Sequence, residues 1–377
     1  MPWKARDVMS LRREFVELAM QEGANMSALC RRYGISRTAA YKWLARYQGE
    51  GAQGLADRSR CPHHSPRQTA EGVAQRILAL RAEHPAWGAR KLRRRLADQG
   101  HTDLPSTGAV HAVLVRAGCI TPEQSARHQP WQRFEHSHPN DLWQMDFKGH
   151  FPLDCGSRCL PLTVLDDHSR FNLLLHACPD QRAPTVESAL TGAFRRYGLP
   201  QRMTMDNGAP WGDDAQTRHT RFTVWLMRLG IQVSHSRPYH PQTQGKDERF
   251  HRTLKAELLA QGHWTDWLST QRRFDAWRDV YNLVRPHQAL GMNTPANRYQ
   301  ISPRPYPESL PPLEYGPDDH PRKVDTAGRL CFRGRILKAG KPFIGQWLGL
   351  RPTATDGLYD AFLGTVKVTS FDLRLPP

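Results

Sequence analysis

The chain has 377 residues, enough for two to four domains with at least one substantial core. Its 53 Lys and Arg against 36 Asp and Glu give a formal net charge of +17, which favours a polyanionic partner because neutralised phosphates release condensed counterions. It has no apolar run of about 18 residues and no apolar signal region near its start, so we expect a cytoplasmic protein without a membrane partner.

The positive charge is concentrated in the first third of the chain. Residues 1–130 contain 21 Lys and Arg against 11 Asp and Glu, which is +10 of the total. A merely solubilising excess of basic residues is the alternative explanation. The seven cysteines are odd in number and scattered, which indicates reduced thiols in a cytosol rather than a disulfide framework.

The segment 1–48 is predicted to be a helix-turn-helix domain. Apolar residues recur at helical intervals in three short stretches, and Ser27 and Ser36 are expected to cap the second and third helices. In this motif the last helix enters the major groove of DNA; a plain three-helix bundle is the alternative. The outward residues of the third helix are the candidate DNA contacts: Arg37, Thr38, Tyr41 and Lys42.

A second helix-turn-helix domain is predicted over 70–120, after a linker over 49–69 rich in Gly, Pro and Ser. Its middle helix carries Arg93 and Arg94, which we expect to contact DNA. A further linker over 121–137 precedes a change in sequence pattern. Two tandem modules indicate a long, bipartite DNA site.

Residues 138–300 are predicted to form a mixed α/β sheet. Three short strands with alternating apolar residues are followed by helices and strands in alternation. A proline-rich linker over 301–321 leads to 322–377, where short β-rich runs and glycine-containing turns favour a small β-barrel. The fold class is therefore multidomain, with α-helical DNA-binding modules, a central α/β core and a C-terminal barrel.

Acidic residues lie on the predicted core strands or at their ends. Asp146 lies on the first strand, Asp166 and Asp167 follow the second, and Asp206 follows the fourth. Two Mg²⁺ ions caged by carboxylates can activate a nucleophile and stabilise the leaving oxygen of a phosphodiester. The residue pattern alone leaves several sets of ligands open.

The helix that includes Glu248 supplies a further acid. At 100° per residue, Gln244, Glu248, Arg252 and Lys255 share one face, while Phe250 and Leu254 share another. A solvated ion pair is the simple explanation, and a metal-binding carboxylate beside a DNA backbone is the alternative. Spacing does not distinguish Asp146, Asp206 and Glu248 from a set that includes Asp166, Asp167 or Asp247.

Five ordered motifs resemble the insertion-sequence transposases related to retroviral integrases. The motifs are Trp143–Phe147, Leu165–Phe171, Asp206–Gly208, Pro241–Phe250 and Asn282–Leu290. The resemblance implies a ribonuclease-H-like core in which Asp146, Asp206 and Glu248 are the catalytic metal ligands for two Mg²⁺ ions, with Mn²⁺ as a substitute. It also implies that the basic residues Lys246, Arg249, Arg252 and Lys255 hold DNA phosphates.

The resemblance further implies a transposase that binds the terminal inverted repeats of its element and joins the element's 3′ ends to target DNA. The expected partners are double-stranded DNA and further copies of the chain, as a homodimer or higher oligomer at a bacterial nucleoid. One alternative is a catalytically silent DNA-binding regulator derived from such an element. A second is a nuclease that stops at hydrolysis.

Overall fold

The computed structural model describes residues 7–58, 68–120, 136–212, 219–235 and 245–374. The chain divides into two compact units, Met1–Gln68 and Thr69–Pro377. No helix in these described ranges is long and apolar enough to cross a membrane. The first predicted linker, 49–69, starts too early, because residues 49–55 are helical and close the first helical module. Residues 59–67 of that linker and 121–135 of the second predicted linker, 121–137, lie outside the described residues.

The first unit contains the three predicted short helices, and a 3₁₀ turn over Gly51–Leu55 closes them. The helices are α1 (Val8–Ala19), α2 (Met26–Tyr33) and α3 (Arg37–Glu50). Ser36 caps α3 as predicted, since its Oγ accepts from Ala39 N at 3.2 Å. The cap of α2 was predicted wrongly: Asn25 rather than Ser27 accepts from Ala28 N, because the helix begins one residue before Ser27.

The second unit begins with another three-helix module. Its helices are α4 (Glu71–Glu83), α5 (Ala89–Asp98) and α6 (Thr107–Arg116). One side of each helix is apolar, and the three sides meet in a core that includes Ile77, Trp87, Leu92 and Leu114. The predicted pair of N-terminal helical modules is therefore present.

A six-stranded mixed sheet follows. Its strands are β1 (Trp143–Phe147), β2 (Phe151–Pro152), β3 (Arg158–Asp166), β4 (Asn172–Cys178), β5 (Arg202–Met205) and β6 (Gln232–His235). The order is β2-β3-β1-β5-β6, with β4 also paired to β3. β1 is antiparallel to β3 and parallel to β5. The short, polar β6 was missed because Gln232–His235 lacks an apolar alternation.

Helices cover both faces of this sheet. They are α7 (Ala183–Tyr197), α8 (Arg221–Arg228), α9 (Gly245–Glu257) and α10 (Trp267–Asp279), and a π-helical turn over Val280–Val284 follows α10. Trp143 and Met145 pack with α7 and α8 on one face. Leu165 and Leu175 pack with α9 and α10 on the other. Two separate cores therefore hold β1 in the middle of the structure.

The C-terminal strands form an open sheet and a separate hairpin. The strands are β7 (His320–Lys323), β8 (Arg329–Phe332), β9 (Arg335–Lys338), β10 (Trp347–Pro352), β11 (Leu358–Leu363) and β12 (Val366–Asp372). The sheet order is β12-β11-β10-β7, and β8 pairs with β9 alone. Among the residues described, these strands do not close on themselves, so the predicted barrel is not confirmed.

Candidate active site and nucleic-acid interface

The structure places Asp146 and Asp206 side by side. Asp146 lies on β1, the middle strand of the sheet, and Asp206 directly follows β5. The parallel register pairs Trp143 with Met203 and Gln144 with Thr204. Continuing that register by two residues sets Asp206 opposite Asp146. Two acids that are 60 positions apart in the sequence therefore meet because their strands are hydrogen-bonded neighbours.

The electrostatics of Asp146 reflect this pairing. Burial and the nearby charge of Asp206 raise the pKa of Asp146 to about 6. Asp146 Oδ1 accepts a hydrogen bond from Phe147 N at 2.8 Å. Asp206 Oδ1 accepts from Gly208 N at 3.0 Å and from the Trp211 indole. Both carboxylates are therefore oriented by their own strand ends, and their mutual repulsion would be relieved by a cation.

Helix α9 crosses beside β1 with two distinct faces. Phe250 and Leu254 are buried against Trp277 and Tyr281, as the helical spacing predicted. The opposite face is exposed and carries Glu248, Arg249, Arg252 and Lys255. Gln244, expected on the same face, lies outside the described residues. The predicted column of one acid and several cations is therefore present at the helix surface.

The first turn of α9 also carries a buried acid, Asp247. Its side chain is 2% exposed, and within the described part of the chain its Oδ1 has no hydrogen-bond partner. Burial, followed by the charges of Asp146 and Asp167, raises its pKa well above the ordinary value. Its surroundings therefore favour the neutral form of this carboxyl group.

The two acids at the end of β3, Asp166 as its last residue and Asp167 directly after it, have structural contacts. Asp166 accepts hydrogen bonds from Asn140 N and from the backbone and hydroxyl of Ser169. Asp167 accepts from Gln144 Nε2 at 2.8 Å, and its Oδ1 lies 2.5 Å from Lys246 Nζ. Lys246, predicted to hold a phosphate, is thus paired with a buried carboxylate. Both aspartates are buried, and they connect the end of β3 to neighbouring segments.

Sequence reasoning missed His251, which lies on the buried side of α9. Its ring is 7% exposed, and Nε2 lies 2.9 Å from Thr163 Oγ1. Nδ1 lies 3.7 Å from Asp146 Oδ2. Burial lowers the pKa of His251 to about 3. The available signal was its position three residues after Glu248, one helical turn further along the same helix.

The carboxylate oxygens of the site are suitable ligands for a hard divalent cation, because Mg²⁺ and Mn²⁺ prefer oxygen ligands. The adjacent pair Asp146 and Asp206 supplies such oxygens, and a cation would offset both the burial and the nearby Asp206 charge that raise the pKa of Asp146. Across the described ranges, no three His, Cys, Asp or Glu side chains are gathered closely enough to hold a metal ion. Glu248 lies on the exposed face of α9, and residues 236–244 before it are outside the described part.

The candidate DNA contacts of the two helical modules differ in their surroundings. Arg37, Thr38, Tyr41 and Lys42 are all exposed on α3. Arg37 Nη2 donates to Ser27 Oγ at 2.9 Å, and Lys42 Nζ lies over the Trp43 ring. The exposed face of α3 is the one that the helix-turn-helix pattern directs toward DNA.

The arginines of α5 are engaged within the protein. Arg93 Nε donates to Pro105 O at 2.8 Å. Arg94 Nε donates to Asp98 Oδ1 at 2.7 Å, and its Nη2 donates to Asn293 Oδ1 at 3.4 Å. The contact with Asn293 connects the second helical module to the α/β core. A DNA contact by Arg93 or Arg94 would therefore compete with these intramolecular hydrogen bonds.

Five family models match successive parts of the chain. They are a helix-turn-helix domain (11–63), a homeodomain-like domain (39–114), an integrase core domain in two models (136–241 and 229–295) and the C-terminal domain of IS481 family transposases (319–375). The helix-turn-helix and integrase-core matches support DNA binding and a nuclease- or transferase-type enzyme.

Two bacterial insertion elements encode similar proteins. The uncharacterised 39.2 kDa protein of insertion element IS476 from Xanthomonas euvesicatoria is 27% identical over 238 residues, which is 61% of this chain and 65% of that protein. The uncharacterised 31.7 kDa protein of insertion element IS407 from Burkholderia multivorans is 26% identical over 235 residues, which is 60% of this chain and 80% of that protein.

Solved structures with some likeness come from viral integrases. A simian T-cell lymphotropic virus intasome in complex with PP2A regulatory subunit B56 gamma matches at a TM-score of 0.37 with 17% identity, over 78% of this chain and 99% of that one. The HTLV-2 integrase catalytic core in complex with magnesium matches at 0.33 with 16% identity, over 43% and 98%. These likenesses are too small to bear on the chemistry of this chain.

The consecutive domain matches follow the order of the helical modules, the mixed sheet and the C-terminal strands seen in the structure. Together, the domain matches and the insertion-element relatives support an insertion-sequence transposase that combines N-terminal helix-turn-helix modules with an integrase core.

Proposed function

We propose that the protein is a DNA transposase that cleaves and joins the ends of its own insertion sequence, with Asp146, Asp206 and Glu248 as the catalytic acids. The observation that carries this proposal is the pairing of Asp146 with Asp206 across β1 and β5, where burial and then the charge of Asp206 raise the pKa of Asp146 to about 6. Two adjacent carboxylates that repel each other at a strand edge are a suitable arrangement for binding a divalent cation. Glu248, on α9 beside β1, would complete the set.

The residues of the site have different roles in the proposed reaction. Asp146, at the centre of the sheet, is held by Phe147 N and lies between Asp206 and α9. Divalent cations, when bound, supply nucleophile activation and charge relief at phosphorus. Asp146, Asp206 and Glu248 would hold them, and the exposed Arg252 and Lys255 would orient the DNA backbone. Water is the nucleophile for cleavage, and the freed 3′-hydroxyl is the nucleophile for joining, so no covalent enzyme intermediate is needed.

The helical modules would recognise the terminal inverted repeats of the element. The exposed face of α3 supplies Arg37, Thr38, Tyr41 and Lys42 to the major groove. Since both ends of an element must react, we propose that a dimer or a larger assembly of this chain acts on paired DNA ends.

The proposal is tested with labelled DNA that carries the element's ends. Asp146→Asn, Asp206→Asn and Glu248→Gln should each abolish cleavage in Mg²⁺ or Mn²⁺, while end binding in gel-shift assays is retained. EDTA should abolish cleavage by the wild-type protein. Wild-type rates in any of the three variants would refute the assignment of that residue, and an inactive wild-type protein that still binds ends would favour the silent regulator. Joined products from pre-cut ends would exclude a nuclease that stops at hydrolysis.

A further inference from the structure

The buried side of α9 holds a polar contact chain that leads to Asp146. Thr163 lies opposite Asp146 in the antiparallel pairing of β3 with β1. Its Oγ1 is 2.9 Å from the backbone oxygen of Asp146 and 2.9 Å from His251 Nε2. The other ring nitrogen of His251 faces Asp146 Oδ2 at 3.7 Å. The imidazole ring therefore bridges a fixed hydroxyl on β3 and the carboxylate on β1.

We propose that His251 is a positioning residue that orients the Asp146 carboxylate for cation binding. This inference rests on the proposed function, in which Asp146 is a metal ligand. Asp146 Oδ1 is already fixed by Phe147 N at 2.8 Å. His251 Nδ1 faces the second oxygen, Oδ2. The contacts of Phe147 N with Oδ1 and of His251 with Oδ2 together define the plane of the Asp146 carboxylate.

Thr163 decides which nitrogen of His251 carries the proton. The hydroxyl has one proton, which it can direct either to the Asp146 backbone oxygen or to His251 Nε2. While Thr163 Oγ1 donates to Asp146 O, the neutral ring donates to Thr163 from Nε2 and its Nδ1 carries no proton. Rotation of the hydroxyl toward Nε2 gives up the bond to Asp146 O and leaves the ring proton on Nδ1, from which the ring can donate to Asp146 Oδ2. The 3.7 Å separation shortens to a hydrogen bond with a small movement of either side chain, as contacts around catalytic groups commonly do when ligands bind.

The burial of Thr163 and His251 favours a specific role for the contact between them. Thr163 is fully buried and His251 is 7% exposed, so water does not readily replace either partner. An apolar residue would fill the same space on α9 at lower cost, because a buried ring nitrogen needs a hydrogen-bond partner. Partners that orient metal-binding side chains typically change metal affinity or activity by about 10- to 100-fold when they are removed.

Two substitutions of His251 distinguish the contact made by Nδ1 from the contact made by Nε2. His251→Asn places an amide near the position of Nδ1 and keeps a donor toward Asp146. His251→Gln places an amide near Nε2 and keeps only the contact with Thr163. Leu254→Ala is the matched control, because Leu254 is fully buried one turn further along α9 and packs in the neighbouring apolar core.

The measurement is Mn²⁺ affinity of the full chain by electron paramagnetic resonance, with thermal unfolding of each variant alongside. We expect His251→Gln to weaken Mn²⁺ binding by about 10- to 100-fold. His251→Asn should stay near the wild-type affinity, and Leu254→Ala should lower stability while leaving the affinity unchanged.

The results distinguish a failure of the positioning role of His251 from a failure of the proposed function on which that role rests. Unchanged Mn²⁺ affinity in His251→Gln, or equal losses in the Asn and Gln variants, would overturn the positioning role, since packing alone would then explain the burial of the ring. If Asp146→Asn binds Mn²⁺ as tightly as the wild-type protein does, the assignment of Asp146 as a ligand fails, and the proposed function fails with it.

Discussion

Glu257, at the end of α9, lies in a buried cluster of charges that should be sensitive to mutation. Arg285 Nε donates to Glu257 Oε1 at 2.8 Å, and Lys91 Nζ lies 3.8 Å from the same oxygen. The side chains of Glu257 and Arg285 are only 8% and 9% exposed. This cluster joins the second helical module to α9 and to the segment after the π-helical turn.

Glu257→Gln preserves the shape of the side chain and removes the only anion of this three-residue cluster. The largely buried Arg285 would then lack its counter-charge, and breaking a buried pair in this way costs about 3 to 5 kcal/mol. At 2 to 4 °C for each kcal/mol in a large domain, the Tm should fall by roughly 6 to 20 °C.

The assay is differential scanning calorimetry at neutral pH and moderate salt. Glu308→Gln is the matched control, since Glu308 pairs with Arg195 at 2.7 Å while the two side chains are 67% and 57% exposed. A pair so open to solvent should be almost neutral for stability. If Glu257→Gln and Glu308→Gln shift the Tm by the same small amount, the reasoning from burial is wrong.

Three further predictions concern stability and DNA binding. Burial and the charge of Arg285 lower the pKa of Lys91 to about 7. Because the folded chain then holds fewer protons than the unfolded chain between about pH 7 and 10.5, stability should rise with pH across that window, and urea titrations of Lys91→Met should show a flatter rise. Gly198→Ala should cost about 1 to 3 kcal/mol in the same urea assay, since φ is +76° and a Cβ would lie 2.7 Å from Arg304 O; an unchanged midpoint would contradict this steric argument. Lys42→Ala should reduce the salt dependence of end binding by about one counterion, measured as the slope of log affinity against log salt, and an unchanged slope would show that Lys42 does not contact a phosphate.

The alternation and helical spacing of the chain predicted most elements of the core. Phe250 and Leu254 were assigned to the buried side of α9, and Arg252 and Lys255 to its exposed side, because a helix places residues three and four apart on one face. The polar strand β6 and the cap at Asn25 escaped prediction, since pairing and tertiary contacts rather than local pattern decide them.

The sequence by itself determined which residue types are available: the acids at strand ends, the basic helices and the order of the motifs. Only the tertiary structure decided which acids lie together. The parallel pairing of β5 with β1 brings Asp206 to Asp146, whereas burial directs Asp166 and Asp167 to structural partners. His251 gains its contact with Asp146 in the same way, because α9 is placed beside β1 by the apolar core that it shares with β3, β4 and α10, and local spacing does not specify those partners.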